Sequence, residues 1–325
     1  MVPKKLREKL RNIIFLIERS GNVLILTHER PDGDAIGSSL ALREALREKG
    51  KRTSVFIPDK VPQNLRFLPE SEKIVQKVEL SLFDLAIFLD SGNLRRSRML
   101  ERIKNARLTF INIDHHPQES PEGDISLVDS SFGATAEIIY YLLKEAKAKI
   151  TKKIALFLLT GIFTDTGGFQ HATTTPLSFK IASDLLLKGA RLDKIARHTN
   201  QDKSLAALRI WGKAILRAKK DPVSKAISSF INKEDLERAG ASLEDLSGVA
   251  NLINSVSGAK FALLLTEYEK NRVKGTLRSS YFGGANVKRI AEIYGGGGHP
   301  FASGFEIKGQ VKESQRGWKI IIKNK

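Results

Sequence analysis

Short apolar runs alternate with segments of helical period along the first half of this chain. The runs are Val23–Leu26, Thr53–Ile57, Leu85–Leu89, Leu108–Ile113 and Ile125–Val128. Their brevity and near-continuous apolarity predict strands buried on both faces. Around them, Ile13–Ile17, Ile36–Lys49 (stopped by Gly50), Gly133–Lys147, Lys152–Phe163 and Pro176–Lys188 carry the helical period, the last with Pro at its start and Gly189 at its stop. This alternation predicts an α/β domain with a doubly wound, mostly parallel sheet. From Leu192 to Lys220 the pattern is helical and polar with no strand, and Asp221-Pro222 ends it. Beyond it, strands are expected at Ala226–Ile231, Phe261–Glu267 and Arg272–Leu277, and helices at Lys233–Arg238, Leu246–Val256 and Val287–Tyr294. The expected organisation is a doubly wound domain over 1–190, a helical connector over 191–222 and a smaller mixed α/β domain over 223–325.

Composition narrows the chemistry. A length of 325 residues and 41% hydrophobic content suit two globular domains. No apolar run approaches the ~20 residues that span a bilayer. The N-terminus leads into a charged amphipathic helix rather than a secretory segment, so no membrane and a cytoplasmic location are expected. Zero cysteines removes disulfides, thiolate nucleophiles and zinc–sulfur sites together. Histidines and carboxylates are then the strong metal ligands left, a set that suits manganese, magnesium or iron. The net charge of +18, from 54 Lys+Arg against 36 Asp+Glu, attracts polyanions. Thermal adaptation accounts for such a composition equally well.

Ligand-type residues stand where apolar runs stop. His28, Asp32 and Asp34 follow the run at 23–26, with Pro31 and Gly33 between them to bend the chain. Asp90 follows Leu85–Leu89, and Asp114-His115-His116 follows Phe110–Ile113. Asp165 follows Leu158–Phe163, which is strand-like in composition but lies within the helical pattern of 152–163. Taken singly, Asp32 reads equally as a helix cap and Asp90 as a turn initiator. Adjacent histidines after a buried strand should point to opposite sides, one to a metal and one to substrate. Ligands in open α/β sheets gather outside the carboxyl ends of the strands, so these pieces can converge there. Far downstream, Gly295-Gly296-Gly297-Gly298-His299 reads as a phosphate cradle or a hinge. Arg278, in Thr276-Leu277-Arg278-Ser279-Ser280, ends a strand where a guanidinium can fork onto phosphate.

The order and content of these pieces resemble the DHH phosphoesterase family, across most of the chain, and Asp-His-His-Pro is a specific motif. The resemblance implies a metal-binding first domain, a DHH-associated second domain and two divalent cations, manganese ahead of magnesium. By position it implies that His28, Asp32 and Asp90 hold one cation. Asp34, Asp90, His115 and Asp165 would hold the other, with Asp90 bridging and His116 meeting the phosphate or leaving group. Arg278 and Ser279, with Gly296, Gly297, Gly298 and His299, would bind substrate phosphate. Among the family's branches the stand-alone nanoRNase and pAp phosphatase group fits best. The implied substrates are very short RNA oligonucleotides, linear dinucleotides or pAp, with homodimer formation left open. Alternatives are a RecJ-like exonuclease, a cyclic-dinucleotide phosphodiesterase, and a basic nucleic-acid-binding protein that keeps the fold without the activity.

Overall fold

In the computed structural model, which describes residues 4–171, 173–201, 203–280, 283–315 and 317–321, the five apolar runs of the first half form one sheet. The strands are β1 (Asn22–Leu26), β2 (Arg52–Phe56), β3 (Leu85–Leu89), β4 (Thr109–Asp114) and β5 (Ile125–Val128). They lie in the order β2-β1-β3-β4-β5, every pair parallel. Their unbroken apolarity follows from helices on both faces. Val23, Ile25, Ile87, Ile111 and Ile113 enter one core with α1 (Lys4–Arg19) and α2 (Gly33–Glu48); Leu24, Leu26, Ala86 and Phe88 enter another with α3 (Leu100–Asn105). The first core also takes residues of α4 (Thr135–Glu145), α5 (Lys152–Asp165) and α6 (Pro176–Leu187). The strand order reverses between β1 and β3, and a crevice at such a switch point is where doubly wound sheets bind ligands.

Two glycines bring α2 and α5 together. A Cβ on Gly37 of α2 would lie 2.5 Å from the Phe157 carbonyl of α5, and one on Gly161 of α5 would lie 2.6 Å from Asp34 Oδ1. Glycine at both places lets the two helices approach closely enough to bring the carboxyl end of α5 beside the amino end of α2.

The chain divides into compact units at residues 1–202 and 203–325. The stretch expected as a connector, 191–222, spans this division. Ile195 of α7 (Leu192–Ala196) is buried in the first unit, whereas Ile210 and Ala214 of α8 (Leu205–Leu216) belong to a core of the second. Each short helix has an apolar side that must be buried, so each joins the nearer core.

The second unit is a six-stranded mixed sheet. Its strands are β6 (Lys219–Lys220), β7 (Ala226–Ile231), β8 (Phe261–Glu269), β9 (Arg272–Ser279), β10 (Gly297–His299) and β11 (Ala302–Lys308), in the order β10-β11-β9-β8-β7-β6. A separate pair, β12 (Gln310–Ser314) and β13 (Gly317–Ile321), comes after it in the chain. Helices α9 (Lys233–Ala239), α10 (Val249–Asn254) and α11 (Val287–Ile293) complete it. The segment from β10 to β13 escapes a reading by periodicity because its strands are short, polar or glycine-rich. Among the described residues no helix is long and apolar enough to cross a membrane.

Candidate metal centre

Beyond β1 the chain turns at Arg30, whose φ of 53° is left-handed, and enters α2. Asp32 caps that helix: its Oδ1 accepts from the N–H groups of Asp34 and Ala35, both at 3.0 Å. The cap reading therefore holds for Asp32 through Oδ1, and neither of those two bonds uses Oδ2. Gly33 is the first residue of α2 and not a bend; a Cβ there would come within 2.3 Å of the Thr164 hydroxyl. His28 Nδ1 lies 2.6 Å from the Glu29 carbonyl, which turns Nε2 to within 4.0 Å of Asp90 Oδ2.

Asp90 follows β3 with φ at 54°, the left-handed conformation that aspartate tolerates better than most residues. It is 1% exposed. Its carboxylate makes no Asx turn; Oδ1 accepts from the Thr135 hydroxyl at 3.0 Å, and Oδ2 has no hydrogen-bond partner among the described residues. A buried carboxylate oxygen left without a donor is costly unless something absent from the protein satisfies it.

The histidine pair behaves differently from the expectation of opposite faces. β4 ends at Asp114, so strand alternation stops before both rings, which lie edge to face with centroids 4.3 Å apart. Both lie near Asp90 Oδ1, His116 Nδ1 at 3.4 Å and His115 Nε2 at 3.6 Å, but their nearest carboxylates differ. His115 is 3% exposed, with Nδ1 3.3 Å from the Phe132 carbonyl and Nε2 3.1 Å from Asp165 Oδ2 and 3.6 Å from Asp90 Oδ1. His116 Nδ1 lies 2.8 Å from Asp114 Oδ1. Burial opposes a charge on His116, but the Asp114 and Asp90 carboxylates outweigh it and its pKa is pushed up to about 11.

Asp114 is the residue whose role sequence reasoning missed. Fully buried, it also accepts from the His116 N–H, the Gly92 N–H and the Gln118 amide, so it organises both loops after β3 and β4. Its place in the Asp-His-His motif was the available signal. Arg96, in the basic stretch after Asp90, also reaches the site, with Nη2 2.9 Å from His28 Nδ1.

Asp34, fully buried, accepts from the N–H groups of Thr135 (2.5 Å) and Ala136 (2.9 Å) at the start of α4. Asp165 closes α5, a helix and not a strand, at the end brought close by Gly37 and Gly161. Burial, then the surrounding carboxylates, raise both Asp34 and Asp165 well above the ordinary aspartate range. Such crowding is relieved by a cation. Three candidate ligand sets lie in the first unit among the described residues, each with donor atoms within 4.8 Å of one another. One, Asp90–Asp114–His116, is already joined by the His116–Asp114 hydrogen bond, which leaves His28–Asp32–Asp90 and Asp34–Asp90–His115. Asp90 is common to both. The all N/O donor set, the orphaned Asp90 oxygen and the mutually opposed carboxylates fit divalent cations.

In the second unit, Arg278 is half-buried and forms no ion pair among the described residues; its Nη1 donates to the Leu277 carbonyl at 2.8 Å. Burial lowers its pKa. Ser279 uses its hydroxyl proton on the Lys260 carbonyl at 2.9 Å, so in this conformation it has none to give a phosphate. The glycine run is not the open loop expected. Gly297 to His299 form the edge strand β10, paired with β11, and a Cβ on Gly296 or Gly298 would lie 2.1 or 2.6 Å from the carbonyl of Gly304 or Ala302. Those two glycines are required by backbone packing. Gly297 has open space where a side chain would stand. His299 pairs with Ala302, which pairs with Arg278 across β11 and β9, so the three share one face of the sheet.

Two family descriptions match the chain: the DHH family, N-terminal domain, over residues 22–162, and the DHHA1 domain over residues 224–316. The bifunctional oligoribonuclease and PAP phosphatase NrnA of Thermus thermophilus is 34% identical over 304 residues, 93% of this chain and 89% of that protein. The protein of the same name from Bacillus subtilis is 30% identical over 298 residues, 91% and 92% of the two chains. The crystal structure of an exopolyphosphatase-related protein from Bacteroides fragilis superposes with a TM-score of 0.85 at 28% identity, covering 94% of this chain and 92% of that one.

Proposed function

Because the chain belongs to the DHH phosphoesterase family, we propose that it hydrolyses very short RNA oligonucleotides and linear dinucleotides to mononucleotides, and pAp to AMP. The observation that carries the reading is Asp90, shared by two ligand sets at a topological switch point. The relatives' names supply the substrate class, and the charge of +18 suits a polyanionic substrate.

In this reading His28, Asp32 and Asp90 hold one divalent cation, and Asp34, Asp90, His115 and Asp165 hold the other, with manganese favoured. Bound there, the cations would acidify water and neutralise charge developing on the scissile phosphate. The chain's own groups do the rest. Asp114 anchors His116 through Nδ1, so the protonated ring presents its Nε2–H as donor to a phosphate or leaving oxygen. Arg278, which has no carboxylate partner among the described residues, binds a second phosphate of the substrate, and the exposed backbone at Gly297 assists it. Ser279 enters only if its hydroxyl is released from Lys260.

The test is product analysis of the purified protein with manganese on end-labelled RNAs from dinucleotides upward, on pAp and on cyclic dinucleotides. Mononucleotides from the shortest RNAs and AMP from pAp are expected. Progressive digestion of long single strands with neglect of dinucleotides would replace this reading with a RecJ-like one.

A further inference from the structure

The residue before α4 is Ala134, which has no side chain able to cap a helix. The cap comes instead from another element: Asp34 of α2 accepts from the N–H groups of Thr135 and Ala136. Thr135, at the first turn, could satisfy its hydroxyl locally, as such residues commonly do. It does not. Its Oγ1–H crosses to Asp90 Oδ1 at 3.0 Å. Thr135 is fully buried, so this bond has no competition from bulk water. One residue thus fixes two carboxylates from different elements, Asp34 through its backbone and Asp90 through its side chain. Asp90 needs such a fixture: the Thr135 hydroxyl is its one side-chain hydrogen-bond donor among the described residues apart from the histidine contacts, and its Oδ2 is unsatisfied.

We infer that Thr135 is a positioning residue for Asp90: its hydroxyl sets the rotation of the shared carboxylate, holding Oδ1 and keeping Oδ2 for the His28–Asp32 set. This inference rests on the two-cation reading. Outer groups that orient metal ligands typically contribute 10–100-fold to affinity. Loss of the Thr135 hydroxyl should therefore weaken manganese binding at both positions, because Asp90 belongs to both. The amide contacts to Asp34 would remain.

The experiment compares the full chain with Thr135→Val, which keeps the shape and removes the hydroxyl, and Thr135→Ser, which keeps the hydroxyl. Manganese is titrated calorimetrically, and the melting temperature is followed with and without manganese. The expected result for Val is a metal-free melting temperature close to the parent's, manganese affinity about 10–100-fold weaker, and turnover at saturating manganese recovered to within several-fold. Ser should titrate like the parent. Should Val fail to fold, the Ser variant still decides, since the inference requires parental manganese affinity from it. A Val variant that binds manganese like the parent would overturn the inference, as would a Ser variant that binds as weakly as Val. If the unaltered chain neither binds manganese nor cleaves short RNA, the two-cation reading itself fails, which the parent titration shows before any variant is compared.

Discussion

Adjacent histidines with different partners should fail in different ways. His115 Nε2 lies nearest Asp165, whereas His116 Nδ1 lies nearest Asp114, with Asp90 Oδ1 close to both rings. His115→Ala should therefore lose manganese on dialysis. His116→Ala should retain it and turn over roughly 10²–10⁴-fold more slowly, the usual range for removing a positioned proton donor. Elemental analysis of both variants alongside kcat makes the comparison, and equal metal loss from the two would reject the division. Asp90→Asn is harsher: it should lower manganese occupancy at both positions and abolish hydrolysis, because both ligand sets draw on it.

At the scale of elements, the segment after β2 is pinned to α2 and α5 by one carboxylate. Glu70 accepts from Lys153 on α5 and from Arg43 and Arg47 on α2, at 2.9 and 2.8 Å for the arginines. The hydrogen bond from Lys153 is the main reason its pKa falls from 4.5 to about 2. A carboxylate depressed in the folded state contributes stability that is present above its ordinary pKa and lost as pH falls toward the folded value. Glu70→Gln should cost on the order of 1.5–3 kcal/mol at neutral pH, and the difference from the parent should shrink from about pH 4.5 and be lost below about pH 2. Urea denaturation of both proteins at a series of pH values measures it. A pH-independent difference would mean that packing, not charge, explains the loss. Arg43 is nearly fully buried, so Glu70 also keeps its charge compensated.

For the whole molecule, the proposed cation ligands all lie in the first unit, and Arg278 lies in the second. Arg278→Ala should leave manganese content and hydrolysis of bis-p-nitrophenyl phosphate intact, while KM for phosphate-terminated dinucleotides rises by roughly one to three orders of magnitude. Removing the substrate's terminal phosphate should then harm the parent far more than the variant. Fully additive losses would show that Arg278 does not touch that phosphate. Binding that weakens steeply with salt in the parent is the matching expectation for a chain of charge +18.

The parallel sheet of the first unit is legible in the chain alone, because strands buried on both faces must be apolar throughout and are bounded by polar residues at their ends. Those same ends displayed His28, Asp34, Asp90 and His115, since a charged residue closing an apolar strand is conspicuous. Much else arises only in three dimensions. That Asp114 holds His116, that Thr135 reaches Asp90 and that Asp34 caps α4 depend on side-chain geometry and on contacts between distant segments, which no local pattern encodes. The glycines of β10 read as a loop because glycine's freedom suits loops, yet close strand pairing requires them for a different reason, the absence of Cβ. The residues of 191–222 read as one helical stretch, but burial of their apolar positions assigned them to two different cores. Local patterning fixes which residues are apolar and where chain segments stop; packing of distant segments fixes which polar atoms meet.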